Sequence, residues 1–429
     1  MIRRAKILKP MYAKIQSSKQ WNDYICLGAL LAVSLLAAIV IGNALPYYRS
    51  DEYAVPAMEM VRTGHILWNF NNFLPIGYPA LLALGYKVFG SETGFTAANI
   101  ALSLLMLASS WLYQRLTGLS VKLTLCVVAA LSIYPDFCLS YNKTQDTNLT
   151  AIALFAFMSS MMLMNRVRDS FGYPDVLVGL SIGMAALVRP NLMLLVFASW
   201  LVLYRSNIHR LFSRSLVQGV IAAVVYCSIT ILVHGSMFFP RNGPYNLFAG
   251  YNPYTIEHLW NEEDSIPFDL AAQHVQYTDN RDPKLDSFYK KSAIAFIRAH
   301  PGQAVKLDVL KFTSMMLPDL HVHPANTVPG MMKIVCSLGI PLWFVIVLLG
   351  KSPRSDDAKL LVSLVIASVI LPFCLIISTQ RFRIPLDFIC WVDLGATLLF
   401  KWEDLAPSEA GEPSTEALAT ADNTSVARD

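Results

Sequence analysis

The chain has 429 residues, of which 55% are hydrophobic and only 15% charged, with a net charge of +4. Soluble domains carry about a quarter of their residues as charge, so this composition excludes an ordinary water-soluble globule. The small, clustered positive excess also excludes a nucleic-acid binder, which needs a basic stripe on a polar domain.

The N-terminus carries Arg3, Arg4, Lys6, Lys9, Lys14 and Lys19, followed by an apolar run at 24–45. That run is too long for a signal-peptide core and lacks a small-residue cleavage site, so it reads as an uncleaved first span. Further runs near the length a spanning helix needs lie at 94–114, 148–165, 174–204, 215–235, 332–349, 359–378 and 384–400, with a shorter one at 122–135. The run 174–204 is long enough for two short spans hinged at Arg189-Pro190. The stretch 73–90 is short, contains Pro75, Gly77, Pro79 and Gly85, and carries Lys87.

Charge decides whether 73–90 spans. If it does not, the pairs Arg115/Lys122 and Arg166/Arg168, the cluster Arg205/Arg210/Arg214, the cluster Lys351/Arg354/Lys359, and Lys401 share the side of the basic N-terminus. Lys and Arg collect on the cytoplasmic side, so 73–90 is expected as a juxtamembrane helix on the outer face. The expectation is an all-α polytopic membrane protein of about ten transmembrane helices. Residues 1–235 form an N-terminal membrane region with a first outer loop at 46–93, and 236–331 form one large extracytoplasmic loop. Residues 332–402 are C-terminal membrane helices, and 403–429 read as a disordered cytoplasmic tail, rich in Ala, Ser, Thr and Glu with little to bury. No internal repeat is visible, which argues against a secondary transporter.

Seven cysteines fall mostly in apolar runs without CxxC spacing and read as small apolar side chains, not as disulfides or a zinc site. His321 and His323 in "PDLHVHP" have metal-ligand spacing but no clear fourth ligand. Solvated or hydrogen-bonded histidines are the ordinary reading there.

Ionisable residues on the expected outer face stand out. Asp51 and Glu52 follow the first span, whereas Arg189, Arg381 and Arg383 sit at outer ends of later spans. Charge at membrane depth costs about 2.5–3.5 kcal/mol per residue on insertion scales and usually faces a cavity or partner; the ordinary alternative is snorkelling to headgroups. Arginine suits phosphate through its planar fork. A carboxylate base and a phosphate clamp on one face point to group transfer from a phosphate leaving group.

Six segments then resemble the integral-membrane GT-C glycosyltransferases, in particular the branch of protein O-mannosyltransferases, lipid A aminoarabinose transferases and RgtA/B/C/D-like enzymes. They are "SDEYAVPAMEMVRTGHI", "LPIGYPALLALGYKVFG", "GLSIGMAALVRPN", "NGPYNLFAGYNP", "AIAFIRAHPGQAVKLDVLKF" and "QRFRIPLDF", in that order over roughly 25–400. The resemblance implies a GT-C-type bundle and transfer of a sugar, with inversion, from a polyprenyl-phosphate donor to a lipid, glycan or protein acceptor on the non-cytoplasmic face. It implies Asp51 as catalytic base, Glu52 as the second acidic position and Asp146 as the acidic residue of the second outer loop. Arg189, Arg381 and Arg383 are candidate donor-phosphate ligands. Asn246 and Asn252 are candidate sugar ligands, although the same residues make ordinary turns. A divalent cation stays open as an assisting ion. The chain departs from the aminoarabinose transferases in the first loop, where "NNFLPIGYP" stands in place of a Lys-Pro-Pro run, and carries Tyr251 where relatives often have Asn.

Two other classes compete. A lipid-linked-sugar flippase or carrier predicts charged positions along mid-span, whereas these spans are nearly free of charge. An O-antigen ligase or polymerase also uses polyprenyl-linked glycans and a large outer loop, but lacks an Asp-Glu pair directly after the first span.

Overall fold

The computed structural model describes residues 18–44, 51–64, 74–132, 145–166, 172–204, 208–237, 239–253, 255, 283–317, 331, 334–350, 356–376 and 382–405. Every regular element among them is helical. In chain order they are α1 (Ser18–Ala44), α2 (Asp51–Thr63), α3 (Gly77–Phe89), α4 (Thr93–Leu116), α5 (Val121–Ser132), α6 (Thr147–Arg166) and α7 (Tyr173–Val188). A 3-10 turn (Pro190–Leu194) leads into α8 (Leu195–Tyr204), followed by α9 (Ile208–His234) and α10 (Gly243–Gly250). Next come α11 (Asp286–Ala299), α12 (Pro301–Met316), α13 (Gly339–Trp343) with a π-helical turn (Phe344–Leu348), α14 (Asp356–Cys374) and α15 (Ile384–Leu405).

Among the described residues, four helices are long and apolar enough to cross a membrane: Thr93–Leu116, Thr147–Met164, Ser213–His234 and Asp356–Cys374. Shorter apolar helices cover Tyr24–Leu36, Val121–Ser132, Tyr173–Val188, Pro190–Leu201 and Ile334–Leu348. The 13 residues of α3 rise about 20 Å, well short of a hydrocarbon core of about 30 Å. The hydrophobic run 174–204 is two helices, broken at Arg189, whose backbone is extended (φ −145°, ψ 108°) before Pro190.

Small residues bring these helices close, as is usual where lipid offers no hydrophobic drive for association. A Cβ on Gly85 would lie 2.4 Å from the Gly94 carbonyl oxygen and one on Gly94 2.3 Å from that of Gly85, so α3 and α4 meet backbone to backbone. Gly90 turns the chain between them in the left-handed region (φ 68°). Gly179 and Gly183 on α7 similarly admit α9, with Ile221 and Ala222 in the way of any side chain.

A single apolar core joins α4, α5, α6, α7, α13, α14 and α15, with Phe155, Phe157, Trp343 and Leu386 among its buried members. Helices α10, α11 and α12 form their own aromatic core of Tyr245, Phe248, Tyr251 and Tyr289. The start of α6 faces the end of α7, and the end of α14 faces the start of α15. These helix ends, the 3-10 turn and the contact with α12 therefore share one end of the bundle. At the opposite end Arg214 of α9 holds Asp175 of α7 by two hydrogen bonds of 2.8 and 2.9 Å.

Candidate functional site

Asp146 precedes α6 and Arg189 follows α7, so antiparallel packing of the two helices brings them together. Arg189 Nε donates to Asp146 Oδ2 at 2.7 Å and Nη2 donates to Oδ1 at 2.9 Å. The arginine is only 4% exposed. Its guanidinium carbon lies 5.1 Å from the centroid of Phe382, which stacks face to face on Phe373 at 4.0 Å and 9°. The cation is thus fixed by a carboxylate on one edge and an aromatic face beside it. Nη1 is buried and has no partner among the described residues, as is the case for Nδ2 of Asn191 two residues on. A buried donor left unpaired costs about 1–3 kcal/mol, which makes Nη1 a ready donor to an anionic ligand oxygen.

Helix α2 is delivered to this end by α3. Tyr53, Ala54 and Ala57 pack on Tyr78, Leu82 and Ala83, with Tyr53 edge-on to Tyr78 at 5.1 Å, and Leu149 and Ile152 of α6 join the same cluster. A Cβ on Gly77 would lie 2.7 Å from the Leu187 carbonyl oxygen, so α3 begins directly on the last turn of α7, next to Arg189. Tyr78 Oη donates to Asn99 Oδ1 at 2.7 Å, and Asn148 Nδ2 donates to Ser103 Oγ at 2.7 Å. These bonds tie α3 and the start of α6 to α4. Asp51 and Glu52 open α2, where a helix favours negative charge; their side chains lie outside the described residues.

Two expectations are corrected. Arg383 is 1% exposed and does not offer its fork to a ligand. Nε and Nη2 bind Asp387 at 2.7 and 3.1 Å, Nη2 also donates to the Ser337 carbonyl at 2.5 Å, and Nη1 donates to the carbonyls of Ser314 and Leu317. It bolts the C-terminal end of α12, where a cation suits the helix dipole, to the start of α15. Asn252 is 3% exposed. Its Nδ2 donates to the carbonyls of Phe248 and Ala249 at 2.9 and 3.4 Å, so it caps α10 instead of presenting its amide to a sugar. Asn246 is half-buried on α10. Arg381, His321 and His323 lie outside the described residues.

Sequence reasoning passed over Lys311. It is 0% exposed on α12, its Nζ donates to the Ile376 carbonyl at 3.0 Å, lies 3.1 Å from Asp308 Oδ1, and sits 3.8 Å from the Tyr251 ring centroid. Tyr251 Oη donates to the same Asp308 oxygen at 2.5 Å. Burial lowers the Lys311 pKa, against the opposing charge of Asp308. Burial first, then the bond to Asp308, raises that of Tyr251.

The expectation of nearly charge-free spans also needs amending. Asp175, Asp387 and Asp393 are all buried in the bundle. Asp393 accepts from Tyr113 Oη at 3.1 Å and Trp343 Nε1 at 2.9 Å, and the other two bind arginines. Among the described residues no three His, Cys, Asp or Glu side chains come together to hold a metal ion. Asp146 is engaged with Arg189.

No protein-family model and no curated protein sequence matches the chain. Two of the solved structures that resemble it are glycosyltransferases. One is the archaeal oligosaccharyltransferase AglB from Archaeoglobus fulgidus, in complex with an inhibitory peptide and a dolichol-phosphate. Identity is 12% and the TM-score 0.49, over 92% of this chain and 53% of that one. The other is ArnT from Cupriavidus metallidurans bound to undecaprenyl phosphate. Here identity is 16% and the TM-score 0.36, over 89% and 78% of the two chains. The chain thus spans about half the length of AglB. Both are GT-C fold glycosyltransferases.

Proposed function

We propose that this chain is an integral-membrane glycosyltransferase of about ten spans. It moves a sugar from a polyprenyl-phosphate donor to a lipid, glycan or protein acceptor on the non-cytoplasmic face. The observation that carries the reading is the buried Arg189, held on two nitrogens by Asp146 with Nη1 unpartnered among the described residues, at the bundle end where α2 begins with Asp51 and Glu52. The Lys/Arg asymmetry of the sequence supports an extracytoplasmic position for that end.

In the proposed reaction the acceptor hydroxyl oxygen attacks the anomeric carbon as the bond from that carbon to the phosphate oxygen breaks, inverting the centre. Asp51 takes the hydroxyl proton, a contribution of about 10²–10⁴-fold for a placed base. Polyprenyl phosphate leaves with the bonding electrons. Arg189 Nη1 donates to a phosphate oxygen, and Arg381 supplies a second cation. Because Asp146 balances the charge of Arg189, Arg189 acts chiefly as an oriented donor, and a net positive charge on the phosphate has to come from Arg381. Glu52 contacts a sugar hydroxyl or orders the surroundings of Asp51. One displacement forms no sugar–enzyme bond, so one catalytic carboxylate suffices.

Profiling lipid-linked sugars and surface glycans in cells lacking the protein tests this reading. Accumulation of one polyprenyl-phosphate sugar together with loss of one glycan residue is expected; an unchanged profile contradicts it.

A further inference from the structure

We infer that Lys311 is a positioning residue for the Arg189 site, acting on it through the last turn of α14; this rests on reading Arg189 as the donor-phosphate ligand. The link runs through described contacts alone. Lys311 donates to the carbonyl of Ile376, just beyond the end of α14. Helix-end carbonyls lack intrahelical partners, and a cation there completes them and suits the dipole. One turn earlier Phe373 stacks on Phe382, and Phe382 lies against the guanidinium of Arg189. The cation itself is held in place by Asp308 and by the ring of Tyr251, a residue of the turn that follows α10.

The arrangement joins the aromatic core of α10–α12 to the site. Burying a lysine completely is costly unless it is paired, and an apolar side chain would fill the same space without that cost. What an apolar side chain cannot do is hold the Ile376 carbonyl. Loss of that hold frees the last turn of α14, withdraws Phe373 from Phe382, and leaves Arg189 with Asp146 alone to orient Nη1. A change in the segment around Tyr251, such as acceptor binding, would reach Arg189 by the same contacts.

The test is the affinity of the purified full-length protein in detergent for farnesyl phosphate, a short prenyl monophosphate. Lys311→Met is expected to weaken it about tenfold, and Phe382→Leu to do the same, whereas the double variant should be little weaker than either, because residues acting in one chain of contacts are not additive. Losses that multiply to about a hundredfold mark independent sites and overturn the inference. Lys311→Arg, which keeps a cation and donors for the carbonyl, should stay within about threefold, and a tenfold loss there counts against the proposal. Arg189→Met separates the role of Arg189 from that of Lys311. Wild-type affinity in Arg189→Met removes the reading of Arg189 itself. Loss in Arg189→Met with wild-type affinity in Lys311→Met removes only the role of Lys311. If Lys311→Met does not fold, Phe373→Leu decides: weaker binding supports the link and unchanged binding overturns it.

Discussion

Arg189 meets Asp146 across 43 residues of sequence through two hydrogen bonds of 2.7 and 2.9 Å. Both charges are largely removed from water, with side-chain exposures of 5% and 14%. Removing one partner of a buried pair costs about 3–5 kcal/mol, because the other charge is stranded. Asp146→Asn should therefore lower the thermal unfolding temperature in detergent markedly. The double variant Asp146→Asn with Arg189→Met should recover part of the loss. An unchanged unfolding temperature in Asp146→Asn would mean that the pair is not formed in solution.

Arg383→Lys tests the structural assignment of Arg383. Lysine cannot reproduce a fork that serves one carboxylate and three carbonyls. We expect a stability loss of about 2–5 kcal/mol, read as poor accumulation or early unfolding. In the fraction that folds, farnesyl phosphate affinity should be preserved. A stable variant that has lost prenyl-phosphate binding would return Arg383 to the donor site.

Gly77→Ala should damage the site from outside it. The added methyl meets backbone atoms of Leu187 at 2.7 and 2.9 Å, and backbone cannot step aside as a flexible side chain does. Overpacking of this kind costs about 1–3 kcal/mol and pushes α3 off the turn that carries Arg189. Prenyl-phosphate affinity should fall together with stability. Gly302→Ala, whose Cβ meets nothing within 4 Å, is the matched control and should change neither.

Alkaline titration should move binding and stability in opposite directions. Lys311 has a pKa lowered by burial from 10.5, so in the folded protein its charge is lost below the usual lysine range. Between the lowered and the ordinary value the unfolded chain binds more protons at this site, so the Lys311 contribution to stability rises with pH there. The groups facing it are Asp308, Tyr251 and Cys374. Tyr251, raised above 10.0, has the opposite sign: its contribution to stability is fully present below its unfolded value and is lost as pH climbs from there through the raised value. Farnesyl phosphate affinity should therefore fall with rising pH in wild type before stability does. In Lys311→Arg, which does not titrate in that range, the fall should disappear; a fall that persists there would assign the titration to another group.

The sequence carried much of this arrangement, and the misses have physical causes. Asp146 and Arg189 were each legible, one from the resemblance and one from its misplaced charge, but their pairing depends on which helix ends meet. Arg383 was misread because charge counting cannot tell an arginine facing a site from one bonded inside the fold. A signal was present in Asp387, four residues on and so on the same face of the helix. Lys311 was missed because it lies inside a motif valued for its resemblance. Yet Ala304, Leu307, Lys311, Ser314 and Met315 form one buried stripe of α12 at helical spacing. A lysine on such a stripe requires a partner, and that was readable. The short α3 and the break at Arg189-Pro190 followed from length and proline chemistry, which act locally.

We propose Asp51 as the base of the sugar transfer. The most direct measurement is transfer of the accumulated lipid-linked sugar to the acceptor, once the glycan profile has named both, by purified wild type and Asp51→Asn matched for folding. The amide keeps the shape of the side chain and removes its basicity, so transfer should fall by about 10²–10⁴-fold with farnesyl phosphate affinity near that of wild type. Turnover by Asp51→Asn within about threefold of wild type, far short of what loss of a general base produces, would contradict the account.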